Sequence, residues 1–440
     1  MKKNIDKEYK EIVKAKEMMP CFSNENKRNR KDDDLLYQYR KLDDFWNIIK
    51  SDSFWATNAR FSNDEEEQRF GRGVINAVYH SLGSNSNINT LGLDDNYIVC
   101  FCKEDDKLSQ WRGYTPNGGV SLGYDFNMLQ LFTILNKHAD VEKKDWGRGS
   151  VKQYVAAAEV CYLDPRDSKM SDKDYEEYCM NKLGLINPAN KEEEIQIAEK
   201  EIQKKAPYIK HSGFYEENES RLVFRGDNES LKECIRYRVN ADRNMQFPYI
   251  IVKSGLSQDK IPDKCLIRIG CIDEESAREI KNNIIKKMQD KKKGDHLIEC
   301  CVHRKDDDMN LEEDFCRGCT LRSFHSLNYD KRCRHNLDNN AEYRYHLKSH
   351  EGEIIISQGK DQEEIYRIVH ACVKEYNSKK TKSIKVWCEG HLPLRKITVG
   401  PCKNNESIVV LEAIKHYCKH VYWLEDVEVA CSSIPYRVSI

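Results

Sequence analysis

The sequence predicts an α+β fold: a central, mostly antiparallel sheet with flanking helices and a Cys/His-rich α/β insertion. Two patterns lead to this prediction. Short segments such as Val120–Phe126 alternate apolar and polar residues, which is typical of half-buried strands. Longer segments repeat apolar residues at helical spacing, as in the predicted helix with Ala277, Ile280, Ile284 and Met288 on one face. The two kinds of segment do not alternate regularly, which argues against a parallel βαβ sheet.

The chain has 440 residues, enough for one large domain or two ordinary ones. Residues 1–31 are rich in Lys, Glu and Asn and are predicted to form a flexible polar arm, not a signal peptide. Residues 32–226 and 384–440 are predicted to form the main α+β domain. Residues 227–383 are predicted to form the insertion, with a candidate zinc-binding segment at 300–335.

The composition indicates a soluble, cytoplasmic protein. The 72 Lys and Arg residues nearly balance the 73 Asp and Glu residues, so the charge gives no overall attraction to nucleic acid or to a membrane surface. The longest apolar run, around Tyr97–Cys102, is far shorter than the roughly 20 residues that span a bilayer. The 18 cysteines are expected to be free thiols, and those within apolar strands, such as Cys100 and Cys102, are expected to be buried.

Four segments combine polar and aromatic residues that a hydrophobic core does not require. They are Tyr37-Gln38-Tyr39-Arg40; Trp55-Ala56-Thr57-Asn58 running to Phe61-Ser62-Asn63-Asp64; Cys100-Phe101-Cys102 followed by Trp111-Arg112-Gly113-Tyr114 and Gly118-Gly119; and Lys210, Phe214 and Glu217-Asn218-Glu219-Ser220-Arg221. If they build one site, one pocket should be lined by Tyr37, Arg40, Asn58, Asp64, Trp111, Tyr114 and Glu219.

The Glu-x-Glu-x-Arg pattern is the most informative of these segments. Residues two apart on a strand share a face, so Glu217, Glu219 and Arg221 are expected to point the same way. Two adjacent carboxylates repel each other, and one of them can then serve as a general acid or base. The alternative is a solvated edge strand in which Arg221 neutralises a glutamate. In either case a surface Glu219 is expected to tolerate exchange for Gln with little loss of stability.

The order of these motifs resembles the bacterial domain of unknown function 2971 family. That family has an early Tyr-x-Tyr/Arg strand, a Cys-Phe-Ser strand, a Trp-x-x-Tyr stretch and a Glu-x-Glu-x-Arg element. The resemblance covers about residues 35–225 and 384–437. This chain departs from the family pattern with Cys102 in place of Ser and Phe214 in place of Trp. The resemblance implies no particular reaction.

The early Arg, the hydroxyl-bearing strand and the late Glu-x-Glu also resemble the ADP-ribosyltransferase superfamily. The resemblance implies that Arg40 holds the phosphates of NAD, that Thr57 positions the nicotinamide ribose, and that Glu219 binds the ribose 2′-hydroxyl as positive charge develops. This chain has Trp55-Ala56-Thr57-Asn58 where the superfamily has aromatic-Ser-Thr-Ser. The expected function is therefore an ADP-ribosyltransferase-like transferase that uses NAD, acting as a bacterial stress or phage-defence effector.

The residues expected to be catalytic are Arg40, Glu217 and Glu219. Those expected to bind substrate or cofactor are Tyr37, Thr57, Asn58, Asn63, Asp64, Trp111, Tyr114, Lys210 and Arg221. The expected partners are a nucleotide-type small molecule and a macromolecular acceptor; no membrane partner is expected, and nucleic acid stays open. Two other functions stay open as well: a non-catalytic sensor or binding module, and a metal-dependent nuclease that would use Asp64, Glu66, Glu217 and Glu219.

The Cys/His-rich segment contains a candidate structural zinc site. Cys316-x-x-Cys319 and Cys333-x-His335 supply four ligands of the types that tetrahedral zinc prefers. The second pair is more closely spaced than in common zinc fingers, and the alternative is a cysteine-rich loop of free thiols. Four protein ligands would leave no open coordination position, so the zinc would stabilise the fold without taking part in catalysis.

If these four residues bind zinc, purified protein should contain about one zinc ion per chain by elemental analysis. Chelation should increase hydrogen exchange in residues 300–335 and leave the main sheet protected, because the metal would stabilise the insertion alone. Metal-free protein with the same exchange pattern would contradict the prediction.

Overall fold

The computed structural model describes residues 35–61, 65–82, 96–125, 131–141, 149–155, 157–185, 195, 202, 204–225, 229–240, 245–254, 265–270, 274–290, 298–302, 343–347, 353–358, 362–379, 385–389, 391–402 and 406–434. These residues belong to two compact units. The first unit comprises the described residues up to Lys253, Leu394–Lys415 and those from Val427 onwards; the second comprises Ser254–Pro393 and His416–Asp426.

In chain order the strands are β1 (Leu35–Arg40), β2 (Phe54–Asn58), β3 (Asn96–Cys102), β4 (Val120–Asp125), β5 (Leu131–Ile134), β6 (Val151–Tyr154), β7 (Ala158–Glu159), β8 (Cys161–Leu163), β9 (Ile209–His211), β10 (Glu219–Arg225), β11 (Arg236–Asn240), β12 (Met245–Ser254), β13 (Cys265–Gly270), β14 (Ile298–Val302), β15 (Tyr343–Leu347), β16 (Glu353–Gln358), β17 (Lys385–Glu389), β18 (Leu394–Val399) and β19 (Glu428–Cys431). The α-helices are α1 (Leu42–Ser51), α2 (Glu65–Ser81), α3 (Leu108–Tyr114), α4 (Asp172–Lys182), α5 (Glu274–Asp290), α6 (Gln362–Asn377) and α7 (Ser407–His420).

A twelve-stranded sheet forms the centre of the first unit. Its strands follow the order β19-β18-β4-β1-β3-β2-β12-β5-β6, while β10 pairs with β3 and β7, and β11 pairs with β12. The second unit has a five-stranded sheet in the order β14-β15-β16-β13-β17. One pair of strands in each sheet is parallel, and the other pairs with a described register are antiparallel. The predicted mixed fold with a mostly antiparallel sheet is therefore confirmed.

Strand pairing carries the main sheet beyond residue 226, where the sequence pattern ended the first segment of the main domain. β12 pairs with β2 from Tyr249↔Thr57 to Val252↔Phe54. β11 then pairs with β12 as a hairpin. The four residues predicted to bind zinc, together with the arm at 1–31, lie outside the described residues.

Local sequence signals account for several of these elements. The short apolar and aromatic run Leu35–Arg40 forms β1, and Glu219–Arg225 forms β10. α4 begins after Ser171, whose side chain accepts a hydrogen bond from the backbone of Asp174 and thus satisfies a free N–H of the first turn, as the capping pattern predicts. In α1, Phe45 and Ile49 share one face at helical spacing and are buried.

The two faces of the main sheet bury different kinds of side chain. On one face, aromatic rings pack edge to face; Phe54, for example, lies 5.0 Å from Tyr124 and 5.7 Å from Phe101 between ring centroids. On the other face, apolar residues of α2 and α4 pack against Ile98 and Val223. The sheet is thus covered on both faces near β3 and β10.

In the second unit, α5 and α6 pack together as the amphipathic pattern predicts. Ile280 and Ile284 of α5 are fully buried, as are Val369 and Cys372 of α6. No helix in the described parts of the chain has both the length and the apolar character needed to cross a lipid bilayer.

Asp106 connects β3, α3 and the segment after β19. Its carboxylate accepts hydrogen bonds from the indole of Trp111 at 2.9 Å and from the backbone N–H of Ser433 at 2.7 Å, and also from the hydroxyl of Ser432. Its backbone is left-handed, with φ of 54°, a conformation that Asp and Asn adopt more readily than most residues. One side chain therefore joins the start of α3 to a segment 327 residues away in sequence.

Asp106→Asn should lower the free energy of unfolding by about 1–3 kcal/mol, because the amide keeps the shape and the backbone preference but loses an acceptor for the Ser433 N–H. Urea denaturation would measure the loss. Asp172→Asn is the matched control: its carboxylate, 73% exposed, pairs with Arg166 on the surface and should contribute less than about 1 kcal/mol. Equal losses in the two variants would contradict this role of Asp106.

Candidate active-site cleft

A cleft opens where β1 and β2 diverge along one edge of β3. β2 pairs with the beginning of β3 at Thr57↔Ile98, whereas β1 pairs with its end at Tyr37↔Cys102. Between these two points a side chain reaches β3: the amide of Gln38 donates a hydrogen bond to the carbonyl of Cys100 at 3.0 Å. The sheet is therefore split at this place.

The cleft is small, with an internal volume of about 90 Å³. This lies below the roughly 300–1,000 Å³ of typical small-molecule sites, so a larger ligand would extend out of it. It is lined by residues of β1, β3, α3 and the start of β10: Tyr37, Gln38, Tyr39, Arg40, Cys100, Phe101, Cys102, Gln110, Tyr114, Glu217 and Glu219. Arg40 and both glutamates of the Glu-x-Glu pattern line this cleft. Arg40 and Glu219 do so from opposite faces of the sheet, contrary to the expected single face: Tyr37 and Glu219 both pair with Cys102, and Arg40 lies three residues after Tyr37.

Arg40, the last residue of β1, places a positive charge at the cleft. Its Nε atom is buried without a hydrogen-bond partner, and so is Oε1 of Gln38, a residue that is only 2% exposed. The chain at Gly119 passes close to Arg40, since a Cβ atom at Gly119 would lie 2.4 Å from the Arg40 carbonyl oxygen. A glycine at this position therefore allows the close packing that holds Arg40.

Glu217 and Glu219 do not lie on one strand, which corrects the predicted same-face geometry. Glu217 ends the 3-10 segment Ser212–Glu217, and Asn218 follows in a left-handed conformation with φ of 43°. β10 begins only at Glu219, because this turn redirects the chain. The two carboxylates converge all the same, since Lys210 Nζ lies 2.7 Å from Glu217 and 3.1 Å from Glu219.

Glu219 is the centre of a buried charge network. Arg221 donates two hydrogen bonds to its carboxylate, at 2.8 and 2.9 Å, and a third to the carbonyl of Pro207 at 2.7 Å. Burial alone would raise the pKa of Glu219, but the charges of Arg221 and Lys210 and hydrogen bonds from Arg221 and Cys100 lower the pKa to about 2. β10 is therefore not a solvated edge strand: it pairs with β3 and β7, and Glu219 is 4% exposed.

Cys100 and Tyr114 complete the carboxylate side of the cleft. Cys100 is exposed, contrary to the prediction from its apolar strand, whereas Cys102 is buried; both are free thiols. Loss of hydration, followed by the charge of Glu219, raises the pKa of the Cys100 thiol well above its usual value. The pKa of Tyr114 is also raised, first by burial of its hydroxyl and then by Glu217. Both groups are therefore protonated at neutral pH.

Of the other predicted residues, Thr57, Asn58 and Trp111 do not line the cleft, contrary to the prediction, and Asn63 and Asp64 lie outside the described chain. Trp111 is 1% exposed, packs against Tyr39 and supports the cleft wall from behind. The side chain of Asn58 accepts a hydrogen bond from the backbone of Arg60, and that of Thr57 accepts one from Arg238.

Sequence reasoning did not assign several cleft residues, of which Gln38, Cys100 and Gln110 are polar or reactive. A glutamine between two tyrosines in an apolar strand is a signal for Gln38, because a buried amide needs partners. Cys100 belonged to one of the four polar and aromatic segments, but no role was assigned to it because its neighbours on β3 are those of an ordinary buried strand.

The space between the two carboxylates contains the ammonium group of Lys210. In the part of the chain that the structure describes, no cluster of three or more His, Cys, Asp or Glu side chains is arranged to hold a metal ion. The described geometry of Glu217 and Glu219 thus resembles a salt-bridge network more than a carboxylate metal site.

Comparison with protein families matches part of the chain to a known family. Residues 110–222 match the model of the family described as Protein of unknown function (DUF2971). This supports the family resemblance seen in the motifs. The matched residues run from α3 into β10 and include Tyr114, Lys210, Glu217 and Glu219, the carboxylate side of the cleft. Comparisons with curated proteins and with solved structures give no match.

Glu219→Gln should lower the free energy of unfolding by roughly 3–5 kcal/mol, because it leaves Arg221 and Lys210 buried without their shared anion. This reverses the expectation for a surface carboxylate. Glu217→Gln is the matched control: its side chain is 25% exposed and Lys210 keeps Glu219, so the loss should stay under about 1 kcal/mol. Urea denaturation at neutral pH measures both, and equal losses would contradict the assignment.

The same measurement has a pH signature. The folded-state pKa of Glu219, about 2, lies below the ordinary value of 4.5, so its contribution to stability is complete above pH 4.5 and is lost as the pH falls towards 2. The Glu219→Gln variant should lack this part of the pH dependence.

Proposed function

We propose that this chain is an NAD-using enzyme of the ADP-ribosyltransferase type and that the cleft is its active site. The observation that carries the proposal is that Arg40 lines the same cleft as Glu217 and Glu219. A cation for phosphate and a carboxylate for developing positive charge are the two groups that cleavage of the nicotinamide–ribose bond requires.

Arg40 is proposed to bind the phosphates of NAD. Its guanidinium has planar, fixed donors that match phosphate oxygens, and an arginine remains charged at any physiological pH. The buried Nε of Arg40 lacks a partner within the described residues, and a bound phosphate would supply one. The neighbouring Oε1 of Gln38 would accept a hydrogen bond from the same ligand.

Glu217, and not Glu219, is proposed to face the reacting sugar. The side chain of Glu219 is 5% exposed and is held by Arg221 and Lys210, whereas that of Glu217 is 25% exposed at the cleft. Glu219 then acts as a positioning residue, because it fixes Lys210, which in turn fixes Glu217. This assignment differs from the role that the superfamily resemblance implies for Glu219.

In the proposed reaction, the bond between ribose C1′ and the nicotinamide nitrogen breaks, and its electron pair leaves with neutral nicotinamide. C1′ gains positive charge, which the carboxylate of Glu217 stabilises through space. A nucleophilic atom of the acceptor, or water, forms the new bond to C1′ and loses its proton. The exposed ring of Tyr114 offers an aromatic surface beside the leaving ring.

Arg40→Gln should weaken NAD binding by roughly ten- to a hundredfold, because it removes charge-assisted hydrogen bonds to phosphate. Calorimetric titration with NAD measures the affinity, and the release of nicotinamide measures turnover. Arg112→Gln is the matched control, since Arg112 is an exposed arginine of α3 that does not line the cleft. Unchanged NAD affinity in Arg40→Gln would contradict the proposal.

Nicotinamide release from NAD distinguishes the proposed transferase from a sensor and from a nuclease. Glu217→Gln should slow nicotinamide release by about a hundredfold and change NAD affinity far less, since the charge it removes acts on the transition state. NAD binding without any release of nicotinamide would instead indicate a non-catalytic sensor. Binding of Mn²⁺ that depends on Glu217 and Glu219, without NAD binding, would support the nuclease.

A further inference from the structure

A pair of histidines lies near the end of α7. His416 and His420 are about one helical turn apart, and both side chains are exposed. Their rings lie 4.5 Å apart between centroids, with an angle of 32° between the ring planes. Both residues belong to the second compact unit, and neither lines the cleft. Two imidazole rings are therefore held side by side at the surface.

A backbone hydrogen bond fixes the tautomer of His420. Its Nδ1 atom lies 2.8 Å from the carbonyl oxygen of His416. A carbonyl oxygen can only accept a hydrogen bond, so Nδ1 must carry the proton that is donated. In the neutral ring the lone pair is then on Nε2, on the far side of the ring, where it can bind a ligand. Histidines that bind metals are commonly held in this way, by a hydrogen bond from the other ring nitrogen.

The chemistry of this pair matches one class of ligand. Zinc, nickel and copper ions prefer imidazole nitrogen, whereas magnesium and calcium prefer oxygen. Two histidines at the same spacing on one helix face bind zinc in metalloproteases. α7 ends at His420, so the pair also lies at the partly negative carbonyl end of the helix, although Lys419 in the same turn carries a positive charge. A helix-capping role would explain the hydrogen bond from Nδ1, but it does not require a second histidine beside the first.

We propose that His416 and His420 together bind one divalent metal ion of the zinc, nickel and copper class. Nε2 of His420 supplies one ligand, and the ring of His416 supplies the other. Two protein ligands leave the remaining coordination positions to water, so the site is open, unlike the four-ligand zinc site predicted within residues 300–335. The ion joins two successive turns of α7 and opposes fraying of the helix end. The site is independent of the proposed NAD chemistry.

Equilibrium dialysis of the full-length, untagged chain against Ni²⁺ tests the proposal. In His420→Asn the amide nitrogen takes about the place of Nδ1 and can still donate to the His416 carbonyl, but no atom replaces Nε2. His420→Asn and His416→Ala should each weaken Ni²⁺ binding at this site by roughly a hundredfold, because a chelating pair becomes a single ligand. His138→Ala, which removes a different exposed histidine, is the matched control. Ni²⁺ bound by the Cys/His-rich segment is common to all variants and cancels in the comparison.

Hydrogen exchange then locates the bound ion. Ni²⁺ should slow amide exchange at the end of α7 in the wild type and not in His420→Asn, and excess Mg²⁺ should not reverse the effect. Equal Ni²⁺ binding by the wild type and His420→Asn would overturn the proposal and leave His420 as a helix-capping residue. An equal loss in His138→Ala would overturn it as well. If His420→Asn does not fold, His416→Ala decides by the same comparison.

Discussion

The ion network around Glu219 is the constraint on which the cleft depends. A carboxylate can be buried in a sheet only if cations and hydrogen bonds replace its water. Arg221 supplies two hydrogen bonds and Lys210 an ammonium group, so β9 and β10 are fixed to each other and to Cys100 of β3. Glu217 takes its position from the same lysine. The carboxylate wall is therefore rigid before any ligand arrives.

Sequence patterns predicted the elements that depend on interactions between residues close together in the chain. The cap of α4 follows from a hydroxyl three residues before an acidic side chain. The turn at Asn218 was missed because Glu-x-Glu-x-Arg also fits a strand, and only the packing of Glu219 decides between the two. The pairing of β12 with β2 was missed because it joins segments distant in sequence, which no local pattern encodes.

The chemistry of the residues predicted one site for Arg40 and the Glu-x-Glu pair, because a hydrophobic core does not require charged side chains on short strands. It could not separate the two glutamates, because their difference in exposure arises from the three-dimensional position of Lys210 and Arg221. Trp111 was expected at the ligand and is in fact 1% exposed. The sequence around a tryptophan does not show whether its ring stacks on a ligand or packs in the core, because both use the same apolar surface.

Because the sheet is split, the two walls of the cleft are carried by different strands, at opposite edges of β3. Arg40 ends β1, which touches β3 at Tyr37↔Cys102, whereas the carboxylates belong to β10 and the turn before it, on the other edge of β3. Substitutions in α1, the helix that connects β1 to β2, can shift the cationic wall without disturbing the buried ions opposite. Such an arrangement lets natural selection adjust which substrates fit while leaving the reactive groups untouched, so relatives that share this split can diverge in ligand preference and still keep one chemistry.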